Sequence, residues 1–176
     1  MAEDVFLAHG ASGSAATMAP WVAGLVERGV RGHAVPTKGK LPMRVERAME
    51  VYRGQLAGRG DVVIGGVSYG GRVASLIAAE DPLAGLVLLS YPLHPPGKHD
   101  QQRTAHLASI RCPVLLLSGE SDPFARVDLL RAAVQQLPTA QLVTYPRVGH
   151  GLSRDRAVMA DCLDRVAAFA AQTAVA

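Results

Sequence analysis

Short apolar runs alternate along the chain with longer stretches in which apolar residues recur every three or four positions. Val5-Phe6-Leu7-Ala8 reads as a buried strand that runs into the turn His9-Gly10-Ala11-Ser12. Thr17 stands where it can cap a helix bearing Trp21, Val22, Leu25 and Val26, and Gly29 stops that helix. His33-Ala34-Val35 reads as a second strand, and Pro42 suits the first turn of the next helix. In that helix Val45, Met49, Tyr52 and Leu56 share one face, Glu46, Arg47, Glu50 and Arg53 the other, and Gly58 and Gly60 end it. Strands are predicted over 61–65, 86–90, 114–118 and 140–145, and helices over 69–79, 124–136 and 155–172. Residues 91–100 hold three prolines and read as a loop, followed by a short helix over 102–108.

Strands that are apolar at consecutive positions belong to a sheet covered on both faces. The pattern therefore predicts an α/β fold of about six mainly parallel strands, with helices on both faces and right-handed crossovers. Composition agrees: of 176 residues, 49% are hydrophobic and 19% charged, which is globular and not disordered. The length suits a single domain over 1–176. No apolar run approaches the roughly 18 residues of a membrane span, and an opening with Glu3 and Asp4 is unlike a signal peptide. The expected location is the cytoplasm, with no membrane partner. The net charge is +3, but the basic residues are scattered singly, so nucleic acid is not an expected partner. Cys112 and Cys162 form no CxxC and no spacing with histidine that suits a metal; they read as buried thiols.

The strongest chemical signal is Gly66-Val67-Ser68-Tyr69-Gly70, a GxSxG between a strand and a helix. A serine on so sharp a turn needs very small residues two before and two after it, because those backbones approach each other. The span 66–71 is not a phosphate loop, since Arg72-Val73 stands where Lys-Ser/Thr would be required, and GxGxxG is absent. Serine is a weak nucleophile at neutral pH and needs a base, and the base needs a carboxylate to orient it. On a sheet of this kind those partners follow in the order acid, then histidine. Asp122 follows the fifth strand and His150 follows the sixth, flanked by Gly149 and Gly151. Glu120 is the alternative acid and His94 the rival base; His33, His94, His99 and His106 are otherwise read as solvated. Attack on a carbonyl also needs two N–H groups for the oxyanion. Tyr69 supplies one, and Ala11, with Ser12 as runner-up, the other. Met18, Trp21, Leu93 and Phe124, with the Tyr69 side chain, are candidate walls of a substrate cleft.

On these residues the chain resembles the α/β-hydrolase fold, over nearly its whole length. Its first strand corresponds to the third of the full eight-stranded fold, and no insertion long enough for a lid follows the fourth strand. Tyr91-Pro92-Leu93-His94-Pro95-Pro96-Gly97-Lys98, Cys112-Pro113-Val114 and Gly119-Glu120-Ser121-Asp122-Pro123-Phe124 are similar to a small dienelactone-hydrolase-like subfamily. It includes testis-expressed protein 30, the hydrolase-like domain of NSL complex subunit 3 and short bacterial homologues. The resemblance implies a minimal α/β-hydrolase fold without a lid domain and a triad of Ser68, Asp122 and His150. Dienelactone hydrolase itself uses cysteine where Ser68 stands. The expectation is a serine hydrolase for a small carboxylic ester or thioester, needing no metal or cofactor, with a homodimer allowed. The alternative is a hydrolase-fold binding or scaffold protein with little or no turnover.

Overall fold

The computed structural model describes residues 4–37 and 44–173. Its strands are β1 (Asp4–Ala8), β2 (Arg31–Val35), β3 (Val63–Val67), β4 (Gly85–Leu89), β5 (Val114–Gly119) and β6 (Ala140–Tyr145). All neighbours run parallel, in the order β2-β1-β3-β4-β5-β6. The helices are α1 (Ala19–Val26), α2 (Val45–Leu56), α3 (Tyr69–Glu80), α4 (Val127–Val134) and α5 (Arg156–Thr173).

The consecutive apolar residues of each strand divide by parity between two cores. Phe6, Ile64, Leu86, Leu88 and Leu116 face the layer of α2, α3 and α4, where Tyr52, Ile77 and Leu130 meet them. Val5, Leu7, Val63, Val87, Leu115 and Leu117 face α1 and α5, against Trp21, Leu25, Cys162 and Val166. The chain steps from β1 outward to β2, then back across β1 to β3. Because crossovers are right-handed, that reversal moves the helices from one face to the other. It also opens a crevice between the carboxyl ends of β1 and β3, where ligands of open α/β sheets collect.

The structure differs from the sequence reading at several boundaries. β3 runs two residues further than expected, through Gly66 to Val67, pairing Gly66 with Ala8 and Leu88. Thr17 caps no α-helix; its hydroxyl donates to Ser14 O at 2.6 Å inside a 3-10 turn, Ala15–Met18, that precedes α1. The helix predicted over 102–108 is only a 3-10 turn, Leu107–Ser109: Arg103 O accepts the Tyr91 hydroxyl at 2.8 Å, and Leu107 N–H turns instead to Thr104 O at 2.9 Å. α2 closes on Ala57 in the left-handed region (φ 51°), with Gly58 following at φ 79°. α4 begins at Val127 rather than 124: Arg126 is extended (φ −56°, ψ 126°), and Phe124 O accepts the His94 N–H at 3.0 Å in place of a helical amide. Pro42 lies outside the described residues. No helix among the described residues is long and apolar enough to cross a membrane.

Candidate active site

Ser68 sits between β3 and α3 at φ 51°, ψ −115°. A non-glycine residue there is strained. The surroundings impose it: Ser68 N–H donates to Leu89 O at 2.8 Å, and Ser68 O accepts from Arg72 N–H at 3.0 Å. The tight bend also explains the flanking glycines. A Cβ on Gly66 would stand 2.5 Å from Ala8 O and 2.6 Å from Gly70 C, and one on Gly70 would stand 2.7 Å from His9 O. Ala8, at the end of β1, thus touches both arms of the turn.

His150 arrives from the loop after β6, and its Nε2 lies 2.8 Å from Ser68 Oγ. Its Nδ1 lies 2.8 Å from Asp122 Oδ2. The Asp122 side chain has no exposed surface, and its Oδ1 accepts the Phe124 N–H at 2.8 Å. A carboxylate accepts only, so Nδ1 carries a proton and Nε2 is left to accept from the serine hydroxyl. The acid and histidine loops are tied together by Ser121 N–H to Val148 O at 2.9 Å. The histidine loop crosses directly over Gly119, where any Cβ would collide with Val148 O and Gly149 O. Glu120 is turned away: it accepts the Thr144 hydroxyl at 2.7 Å and lies 3.7 Å from an Arg131 nitrogen.

Of the two expected oxyanion donors, Tyr69 opens α3 beside Ser68. Ala11 is exposed in the turn closed by Gly13 N–H on Gly10 O, and its amide has no hydrogen-bond partner among the described residues. The loop passes close to the serine, since a Cβ on Gly10 would stand 3.7 Å from Ser68 Cβ. The cleft walls need correction. Met18 and Trp21 are buried in the core beneath α1 and α5, and Leu93 is buried against the opposite helical layer. Side chains this apolar gain more from the core than from a wet rim. Phe124 alone of the four reaches the site, its ring 4.5 Å from that of His150.

The histidines are also less solvated than their loop positions suggested. His33 lies 2.7 Å from Asp4 Oδ1, and His106 Nε2 lies 2.8 Å from Ser75 Oγ. Burial, with the charge of Arg72, pushes the His106 pKa down. His94 is fully buried, and His99 is exposed. His9, which the sequence reading passed over, is buried too: Thr37 N–H donates to its Nε2 at 3.0 Å, and its Nδ1 lies 2.7 Å from Gly10 O. It ties the loop after β1 to the end of β2. The signal was there in principle: His9 adjoins Gly10 directly after β1, and His94 adjoins Pro95 within the loop after β4, both in rigid turns where a polar side chain can tie the backbone. Burial pushes both cysteine thiols up to about 11, so they stay protonated and inert near neutral pH. Among the described residues no group of His, Cys, Asp and Glu could hold a metal ion. A groove of about 950 Å³ lies at the amino end of the sheet, lined by residues such as Asp61, Leu83, Arg111 and Phe169, and shares no residue with the Ser68 site.

A family model described as an alpha/beta hydrolase domain matches residues 2–175. Solved structures share the architecture at low identity. A monoacylglycerol lipase from Paleococcus ferrophilus is similar with TM-score 0.82 and 16% identity, over 97% of this chain and 94% of that one. A dienelactone hydrolase from Anabaena variabilis is similar with TM-score 0.78 and 20% identity, over 96% and 85%. Est1E from Butyrivibrio proteoclasticus, with ferulic acid bound, is similar with TM-score 0.78 and 17% identity, over 99% and 90%.

Proposed function

The chain belongs to the alpha/beta hydrolase domain family, and from that premise we propose that it is a serine hydrolase cleaving a small carboxylic ester or thioester. The observation that carries this reading is the unbroken line from Ser68 Oγ to His150 Nε2 and from His150 Nδ1 to Asp122 Oδ2, each 2.8 Å, on a strained turn.

In this reading Ser68 Oγ attacks the carbonyl carbon while His150 Nε2 takes its proton. The carbonyl electron pair moves onto oxygen, where the Tyr69 and Ala11 amides receive it. Collapse breaks the bond to the leaving alcohol or thiol, which takes the proton from His150 and departs. Water then attacks the acyl-Ser68 ester, giving a proton to His150. Release of the acid returns that proton to Ser68. Asp122 holds His150 in the required tautomer and stabilises the imidazolium. The connection from β4 to β5 carries only a 3-10 turn, which supports small, water-soluble esters over long-chain lipids. Phe124, beside His150, is the proposed wall. The motifs shared with testis-expressed protein 30 support placing the chain in that subfamily.

The test is labelling with a fluorophosphonate probe, followed by nitrophenyl esters of graded acyl length. Labelling of the wild-type protein that vanishes in Ser68→Ala, with turnover falling as the acyl chain lengthens, is the expected result. A folded wild-type protein that neither labels nor turns over any ester overturns it in favour of a binding or scaffold role.

A further inference from the structure

The loop after β4 carries a buried imidazole that the reaction itself does not use. His94 has no exposed surface. Its backbone N–H donates to Phe124 O at 3.0 Å. Its Nε2 accepts the Arg126 N–H at 3.0 Å, and its Nδ1 lies 2.9 Å from Pro95 O. An amide N–H can only donate and a carbonyl can only accept. The ring is therefore the neutral tautomer with the proton on Nδ1.

The mount on which this ring stands is stiff. Arg103 N–H donates to Leu93 O at 2.7 Å, Arg103 Nη1 to Pro92 O at 2.8 Å, and Tyr91 OH to Arg103 O at 2.8 Å. What the ring holds is the short segment that carries the acid. Phe124 donates its N–H to Asp122 Oδ1 at 2.8 Å and lays its ring against His150. The same segment has helical periodicity from 124 onward, yet α4 starts only at Val127. Two hydrogen bonds to His94 fix this segment: its backbone N–H binds Phe124 O, which a helix from 124 would offer to the amide of Asp128, and its ring binds the Arg126 N–H ahead of the helix.

We propose that His94 is a positioning residue: a neutral imidazole that pins the Arg126 N–H ahead of α4, and so keeps Asp122 and Phe124 in the orientation His150 needs. The proposal rests on the triad reading given above. Without the ring as a brace, the Arg126 N–H loses its partner and only the backbone bond at Phe124 O still ties the segment to the loop after β4, so Phe124 and its hold on Asp122 loosen. A displacement of about 1 Å at such a point costs up to about 100-fold in rate.

The test compares wild-type protein with His94→Leu and His94→Gln; the glutamine amide oxygen can reach the place of Nε2. In the wild type, nitrogen NMR should find His94 protonated on Nδ1 only. His94→Leu should lower kcat on a short nitrophenyl ester about 10- to 100-fold with KM changed less than about threefold. It should also shift the low-field proton resonance of His150 Nδ1–H. His94→Gln should keep kcat within about threefold of wild type, with that resonance restored. A His94 protonated on Nε2, a folded His94→Leu with wild-type kcat and resonance, or equal losses in both variants overturns the proposal. Should His94→Leu not fold, a His94→Gln variant with wild-type kcat and resonance supports the brace, and one with a shifted resonance overturns it. Should the wild type show no turnover, the triad reading falls, while the tautomer and the His150 resonance still decide the brace.

Discussion

Ser68 is held in a backbone conformation that costs about 1–3 kcal/mol, and nothing in its own chemistry repays that. Its hydrogen bonds to Leu89 and Arg72 hold it there, and bare glycines leave the room. The types and order of Ser68, Asp122 and His150 were legible in the sequence because each follows a strand. The sequence favoured Asp122 as the acid but left Glu120 open, since the two stand two positions apart and either could cap a turn. The structure divides them by direction: one carboxylate is buried on His150, the other bound to Thr144. Asp122→Asn should therefore lower kcat about 10⁴-fold, by leaving the histidine in the wrong tautomer. Glu120→Gln should stay within about threefold of wild type, since the amide can still accept from Thr144. Steady-state kinetics on one ester checks both, and a larger loss in Glu120→Gln would reverse the assignment. Met18, Trp21 and Leu93 were misjudged for a related reason. Position after a strand does not say whether an apolar side chain turns toward the cleft or the core.

At the scale of elements, periodicity found every strand and every α-helix, and missed mainly where backbone groups were bound by distant residues. Phe124 O, which an earlier start of α4 would use, is taken by the His94 N–H, and Arg103 O before β5 by the Tyr91 hydroxyl. Neither partner is local, so no window of sequence could contain the competition. Gly119, the last residue of β5, is another case. It reads as an ordinary end-of-strand glycine, but its missing side chain is where the histidine loop crosses. Gly119→Ala should push Val148 and Gly149 outward, lowering kcat at least 10-fold at a stability cost of about 1–3 kcal/mol. Kinetics and thermal unfolding on the same sample test this. Retained activity would mean that the loop moves without carrying His150 away from Ser68.

Across the whole molecule, the end of the sheet opposite Ser68 is fastened by a charge cluster. Asp4, at the start of β1, accepts from Arg31 at 2.7 and 2.9 Å, lies 2.7 Å from His33 Nε2, and pairs with Arg59 at 2.8 Å. The Arg31 guanidinium, against the opposing effect of burial and aided by His33 and Arg59, holds this carboxyl well below the usual carboxylate range. A depressed pKa favours the folded state above the unfolded value of 3.8, and that contribution is lost as pH falls through the folded value. Asp4→Asn should cost about 1–3 kcal/mol at neutral pH. The gap in unfolding free energy from wild type should narrow as the pH drops below about 4. A gap that stays constant to pH 2 would show that the carboxyl's charge does not matter there.

The chain by itself determined the layered α/β architecture and the residue types of the site. Both follow from local rules: apolar runs bury strands on two faces, and a nucleophile needs a tight turn, a base and an acid. Only the tertiary structure decided which carboxylate meets His150, which aromatic ring stands beside it and which histidines serve as internal ties. Those outcomes depend on where groups from separate loops converge at the sheet's carboxyl edge. Hydrogen bonds act over about 3 Å, a distance that spacing along the chain does not encode.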